Sequence, residues 1–323
     1  MTENFKEEVQ NEIMTTLPKD SEADLAFLAG LAKSVGTLEI VAKRVNLCFV
    51  LDSFEQGMIV VDELKKFYPT EFEITLPSQK EGAKTASHCL VQAPQGFSKQ
   101  ILVDLGLMTT NGDELDSFVS GVPFAMLKKE GCKRAFLKGL FFGFGSVYVP
   151  SISSDEEKRD GYHLELKFDD EDYAKDVVEL FAYFGLNAKT SERGEAFLVY
   201  FKDKDEISKV LSLMDLSECV LKLQMIINER ETANSLNRAI ICETANMDKT
   251  FAAASKHLLA IGKIMSSNLF EALSPALRDT AQARMDNPES SLQDLADELG
   301  VTKSCLNHRL RKLVEIADEL SDV

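Results

Sequence analysis

The chain has 323 residues, 45% of them apolar, with a formal net charge of −17. That length predicts about two domains, that apolar share excludes wholesale disorder, and no apolar run reaches the roughly 18 residues a membrane helix needs. Taken as a sum, the excess of acid argues against nucleic-acid binding, because phosphate contacts need Lys and Arg.

In chain order, residues 1–20 are charged and amphipathic and contain no apolar h-region, so they do not read as a secretory signal. The six cysteines (Cys48, Cys89, Cys132, Cys219, Cys242 and Cys305) show neither CxxC nor metal-ligand spacing. They read as reduced thiols of a cytoplasmic protein, with no cofactor and no membrane partner expected.

A phrase then appears twice, 109 residues apart. Ala26-Phe27-Leu28-Ala29-Gly30-Leu31 closes at Gly36-Thr37-Leu38, and Ala135-Phe136-Leu137-Lys138-Gly139-Leu140 closes at Gly145-Ser146-Val147. Small residues recur at every fourth position, Ala26, Gly30 and Ser34 in one copy and Ala135, Gly139 and Gly143 in the other. That spacing places them on one helix face, where two backbones can approach closely. The two helices are expected to pair about a pseudo-two-fold axis.

After the first helix, strands are predicted at Thr37–Val41 and Val45–Leu51, a helix at Phe54–Tyr68, strands near Phe72–Leu76 and His88–Gln92, and a helix at Lys99–Leu105. The second copy runs in the same order. Strands fall near Ser146–Val149 and Tyr162–Phe168, a helix at Tyr173–Phe184, strands near Ala188–Thr190 and Ala196–Phe201, and a helix at Ile207–Met214. Both halves read α-β-β-α-β-β-α. The alternation in His163-Leu164-Glu165-Leu166-Lys167-Phe168 marks an antiparallel sheet covered on one face. Asn111–Ser120 reads as a polar, acidic connection between the halves, and Ser151–Asp160 as a charged hairpin loop.

Beyond Ser217 the strand signal ends. One helix is predicted over Leu216–Asn246 and another over Lys249–Ile264, with a break at Ser266–Asn268. A last module opens at Ser274-Pro275, a serine cap followed by proline. Its first helix, Pro275–Met285, stops before Asn287-Pro288. Ser291 with Asp294 resembles a capping box for Leu292–Leu299, Gly300 ends that helix, and Thr302 caps the next, which runs from Lys303 to about Leu320. Two helices joined by a short glycine turn make a helix-turn-helix. Ala296 supplies the small contact, and Leu295, Leu299, Val301, Leu306, Leu310 and Leu313 the core.

Charge is unevenly spread. Residues 1–216 carry about −13, whereas Val301–Val314 carries +4 and no acid. With Leu306, Leu310 and Leu313 inward, the 100° step turns Ser304, His308 and Arg311 outward, flanked by Asn307 and Lys312. Asn and Arg make bidentate contacts to base edges, and Lys and Arg anchor phosphates. The helix N-terminus adds its dipole and free N–H groups. The candidate DNA-contact set is Thr302, Lys303, Ser304, Asn307, His308, Arg309, Arg311 and Lys312. His308 has no second ligand at metal spacing, so it reads as a polar contact.

The repeated phrase resembles the LAGLIDADG motif of homing endonucleases, whose fold is a pseudo-symmetric α-β-β-α-β-β-α pair. The resemblance would cover about residues 20–215. The segments CKRAFLKGLFFGFGSVYVP, GYHLELKF, NSLNRAIICETANMDKT and SSLQDLADELGVTKSCLNHRLRKL together resemble the WhiA family of bacterial regulators, over nearly the whole chain. That resemblance implies an α+β LAGLIDADG-like domain over 1–216, a helical accessory segment over 217–270 and an all-α helix-turn-helix domain over 271–323. It also implies a double-stranded-DNA-binding, nucleoid-associated regulator of transcription, sporulation, cell division and chromosome segregation.

In active LAGLIDADG enzymes an acid precedes the glycine that ends each motif helix and holds a divalent metal. Here those positions are Val35 and Phe144, while Lys33 and Phe142 stand at the motif's earlier acid. Neither Val nor Phe can ligate a hard cation, which takes oxygen ligands. The expectation is therefore no catalytic site and no metal. The −13 of this domain disfavours a DNA-gripping sheet, so it is expected to act as a scaffold or to bind other regulatory proteins. A residual metal-dependent nuclease and a protein-interaction adaptor are the competing classes.

Glu231-Thr232-Ala233-Asn234 recurs as Glu243-Thr244-Ala245-Asn246, accompanied by Arg230, Asn237, Arg238 and Lys249. Two readings stand, an accessory DNA surface or a solvent-exposed helix with asparagine hydrogen bonds.

Overall fold

The computed structural model describes residues 5–41, 44–76, 88–94, 96–110, 117–150 and 161–320. The predicted loop Ser151–Asp160, and residues 111–116 of the predicted connection, lie outside that set. Two compact units divide the chain, Met1–Arg230 and Glu231–Val323.

The first unit begins with helix α1 (Phe5–Thr15) and the motif helix α2 (Ser21–Val35). Asp20 caps α2 by accepting the Ala23 N–H at 3.2 Å, and Glu22 and Asp24 lie in its first turn, where the helix dipole favours them. Strands β1 (Gly36–Val41) and β2 (Arg44–Leu51) follow, then α3 (Phe54–Lys65), β3 (Glu73–Thr75), β4 (Cys89–Gln92) and α4 (Phe97–Asp104). The second half repeats the order: α5 (Glu130–Phe144), β7 (Gly145–Tyr148), β8 (His163–Phe168), α6 (Glu171–Tyr183), β9 (Lys189–Arg193), β10 (Ala196–Phe201) and α7 (Lys204–Leu213). Between the halves sits a short hairpin, β5 (Met108–Thr109) with β6 (Ser117–Phe118). The connection thus carries a strand pair where a plain polar segment was expected.

Both sheets are antiparallel with matching order, β1-β2-β4-β3 and β7-β8-β10-β9. Alternate residues point into the core, Leu47, Phe49 and Leu51 on β2, and Leu164, Leu166 and Phe168 on β8. Continuous apolar packing links the two halves through α2 and α5. The repeated glycines set that approach. A Cβ on Gly30 would lie 2.1 Å from the Phe136 carbonyl oxygen, and one on Gly139 would lie 2.1 Å from the Phe27 carbonyl oxygen. Ser34 Oγ crosses the pair and donates to the Gly139 carbonyl at 3.0 Å.

Helix α1 closes one side of this core with Phe5, Val9, Ile13 and Met14. Its Gln10 Nε2 donates to the Phe142 carbonyl at 3.0 Å. Its buried Glu12 accepts the N–H groups of Glu218 and Cys219, both at 2.8 Å. Those N–H groups open the long helix α8 (Ser217–Met265), so a carboxylate from the first helix neutralises the positive end of the eighth.

Helix α8 runs unbroken for 49 residues, where two helices were predicted. Met247-Asp248, the two residues between those predicted helices, contain neither proline nor glycine and keep their backbone helical. The two ends of the helix belong to different cores. Leu216, Cys219, Leu223 and Ile227 belong to the first core, and Ala260, Ile261 and Ile264 to the second. Segment 217–270 is thus shared between two cores. Helices α9 (Pro275–Asp286), α10 (Leu292–Glu298) and α11 (Lys303–Glu319) complete the second unit.

Candidate nucleic-acid interface

Each turn of the second unit is fixed locally. Pro275 opens α9. Ser291 and Asp294 form a reciprocal capping box at the start of α10, with the Asp294 N–H donating to Ser291 Oγ at 3.2 Å and the Ser291 N–H to Asp294 Oδ2 at 3.3 Å. Gly300 adopts φ +61°, a left-handed turn that favours glycine. Thr302 Oγ1 then accepts the Cys305 N–H at 3.2 Å, which starts α11. The core beneath is Leu295, Ala296, Leu306, Leu310, Leu313 and Ala317, all buried, with Leu299 and Val301 packed partly against it.

The predicted contact residues divide by exposure. Thr302, Lys303, Ser304, His308, Arg311 and Lys312 are exposed, whereas Asn307 and Arg309 are half-buried. Asn307 and Arg309 flank the buried face formed by Leu306, Leu310 and Leu313. The Thr302 hydroxyl is already engaged as a cap, and Lys312 Nζ sits 3.2 Å from Glu315 Oε2. Lys303, Ser304, Asn307, His308 and Arg311 lie on one side of the first three turns of α11, and Arg309 on the opposite flank of the buried leucines.

Arg284, which drew no attention in the sequence, holds the turn between α9 and α10. It is 2% exposed, and its Nη1 donates to the carbonyls of Asn287 (3.3 Å), Pro288 (3.3 Å) and Ser290 (2.8 Å). These are the residues of the α9–α10 turn. An arginine in a polar helical pattern reads as solvent-facing, so only the turn geometry reveals the role. His257 of α8 is also buried. Burial, reinforced by Arg284 and Lys256, holds its imidazole below the ordinary histidine range.

At the expected metal positions of the first unit, Val35 and Phe144 both pack against the core. The Phe144 ring meets Phe168 edge-on at 5.3 Å and Tyr173 at 6.3 Å. Lys33 Nζ donates to the carbonyls of Val119 and Ser120, the latter at 2.8 Å, and lies 5.1 Å from the centre of the Tyr173 ring. Burial pulls its pKa down to about 8. Among the described residues no group of three or more His, Cys, Asp or Glu is placed to hold a metal ion, and no helix is long and apolar enough to cross a membrane.

Sequence profiles of three domains match the chain. The WhiA N-terminal LAGLIDADG-like domain matches residues 21–108, the WhiA LAGLIDADG-like domain 133–233, and the WhiA C-terminal HTH domain 236–317. The chain belongs to the WhiA family. The probable cell division protein WhiA of Clostridium botulinum is 30% identical over 321 residues, covering 98% of each chain. That of Heliobacterium modesticaldum is 30% identical over 322 residues, covering 98% of this chain and 97% of the other. Among solved structures, full-length DUF199/WhiA from Thermatoga maritima aligns over 98% of this chain and 99% of that one, with 23% identity and a TM-score of 0.55. The WhiA architecture of LAGLIDADG-like scaffold followed by helix-turn-helix is therefore that of this chain.

Proposed function

We propose that this WhiA-family protein is a sequence-specific DNA-binding regulator of bacterial transcription and cell division, located on the nucleoid. The observation that carries this reading is the capped α11. Its exposed face gathers Lys303, Ser304, His308, Arg311 and Lys312, with Asn307 beside them, opposite Leu306, Leu310 and Leu313. Asn307 and Arg311 have the chemistry for base edges. Lys303, Arg309 and Lys312 supply charge for phosphates, Thr302 and Ser304 sit at the helix N-terminus where phosphate binds, and His308 adds a polar contact.

The first unit acts as a scaffold without cleavage activity. Hydrocarbon at Val35 and Phe144 offers no oxygen to a divalent metal, so water activation there has no ligand set. Binding of other regulatory proteins belongs to this scaffold.

A gel-shift titration of full-length protein against its preferred site tests the reading. Arg311→Ala and Asn307→Ala should each weaken binding by roughly 1–3 kcal/mol and relax discrimination at one base pair. Unchanged affinity in both variants removes the recognition role of α11. Nicking of plasmid DNA by the purified protein with magnesium or manganese would overturn the non-catalytic assignment.

A further inference from the structure

The middle of α8 carries an apolar stripe that the second unit leaves uncovered. Leu236, Ile240, Met247 and Phe251 are each more than half exposed. At about 100° per residue, these four and the small Ala233 and Ala254 fall within an arc of about 60°. Glu231, Arg238, Lys249 and Lys256 fall on the opposite face, and all four are exposed. An apolar centre with charge kept away from it is the composition of an interface core, not of a helix solvated all round. The acid nearest the stripe is Glu243.

The spacing of the stripe is a palindrome. Ala233, Leu236, Ile240, Met247, Phe251 and Ala254 follow one another at steps of 3, 4, 7, 4 and 3 residues, so the pattern is the same from either end. A two-fold interface requires that self-complementarity, because residue i meets j and j meets i. The two halves of the stripe differ in relief. Met247, Phe251 and Ala254 line a groove of about 890 Å³, walled by Pro288 and Glu289 of the α9–α10 turn. Leu236 and Ile240 stand outside that groove as exposed projections. One helix thus carries both a ridge and a slot.

We infer that α8 pairs with α8 of a second copy of this chain, antiparallel, about a two-fold axis between residues 243 and 244. Leu236 and Ile240 of each copy then enter the groove of the other, beside Phe251 and Met247. At about 1.5 Å per residue, segment 233–254 is about 33 Å long. A strip of that length and about 10 Å width falls short of the roughly 800 Å² per partner of a standard interface, so the pair is reversible and forms at micromolar concentration. The two Glu243 carboxylates meet beside the axis and weaken the pair further. This contact stands apart from the one proposed for α11, and neither requires the other.

Sedimentation velocity of the full-length protein without DNA, across the micromolar range, tests the pairing. The chain should associate reversibly into dimers. Ile240→Asp and Met247→Asp should each weaken association about tenfold or more, with far-UV circular dichroism unchanged because both side chains are exposed. Leu259→Ser, at an equally exposed apolar position off the stripe, should leave it unaltered. Glu243→Gln should tighten it. Cross-linking reads the direction. In a background of Cys242→Ser with Cys305→Ser, Thr244→Cys should give disulfide-linked dimers under oxidised glutathione. Leu236→Cys should not, since its two copies lie about 22 Å apart along the helices. A chain that stays monomeric throughout the range overturns the inference, as does association that Ile240→Asp and Met247→Asp both leave intact. Linking of Leu236→Cys as readily as Thr244→Cys overturns the antiparallel register.

Discussion

Gly30 and Gly139 stand where two helix backbones touch. A methyl group at either would meet a backbone carbonyl at 2.1 Å, and a carbonyl cannot rotate away as a side chain can. Gly139→Ala should therefore destabilise the first unit by about 1–3 kcal/mol or more, seen as a lower urea midpoint. An unchanged midpoint would mean that the helix pair tolerates wider spacing. His257 makes a residue-level prediction with a sign. Its folded pKa lies below the ordinary value of 6.5, so the unfolded chain binds a proton more readily. Stability is then full above about pH 6.5 and declines as pH falls below it. Thermal melts at pH 7.5 and 5.5 should show a loss for the native protein that shrinks in His257→Gln. Arg284 and Gly30 differ in legibility. A glycine repeated at fixed spacing signals close approach, whereas a buried arginine serving three carbonyls leaves no mark in a sequence.

Elements formed where local chemistry was explicit. The capping box at Ser291, the left-handed Gly300 and the Thr302 cap each settle one turn using neighbours within a few residues. Ser291→Ala and Thr302→Ala should each cost about 1 kcal/mol, measured as a drop in the melting temperature of the second unit. A null effect at Thr302 would show that the start of α11 is held by packing alone. The strands were legible for a similar reason, because alternation such as Leu164, Leu166 and Phe168 is a local signal. Helix α8 was less so. Two helices were expected on either side of Met247-Asp248, yet nothing in that interval forbids helix. Every residue from 234 to 253 is exposed in the structure, so no packing contact marks the interval either way.

At the scale of the whole molecule two separate hydrophobic cores divide the stability. One spans α1 through the first turns of α8, and the other gathers the end of α8 with α9, α10 and α11. Differential scanning calorimetry should resolve two transitions. Gly139→Ala should lower one and Thr302→Ala the other, with additive effects in the double variant, since distant sites without shared partners add. A single transition moved by both would refute separate cooperative units. Net charge misleads at this scale. A total of −17 conceals the run Val301–Val314 around the start of α11, which carries +4 and no acid.

By itself the sequence determined the duplicated α-β-β-α-β-β-α order, the helix-turn-helix and the apolar replacements at Val35 and Phe144, since each rests on periodicity, capping or identity at a position. Tertiary structure alone decided that Glu12 caps α8, that Arg284 holds a turn, and that Pro288 and Glu289 wall a groove beside Phe251. Those arrangements join residues distant in the chain, and only helix packing brings such groups together.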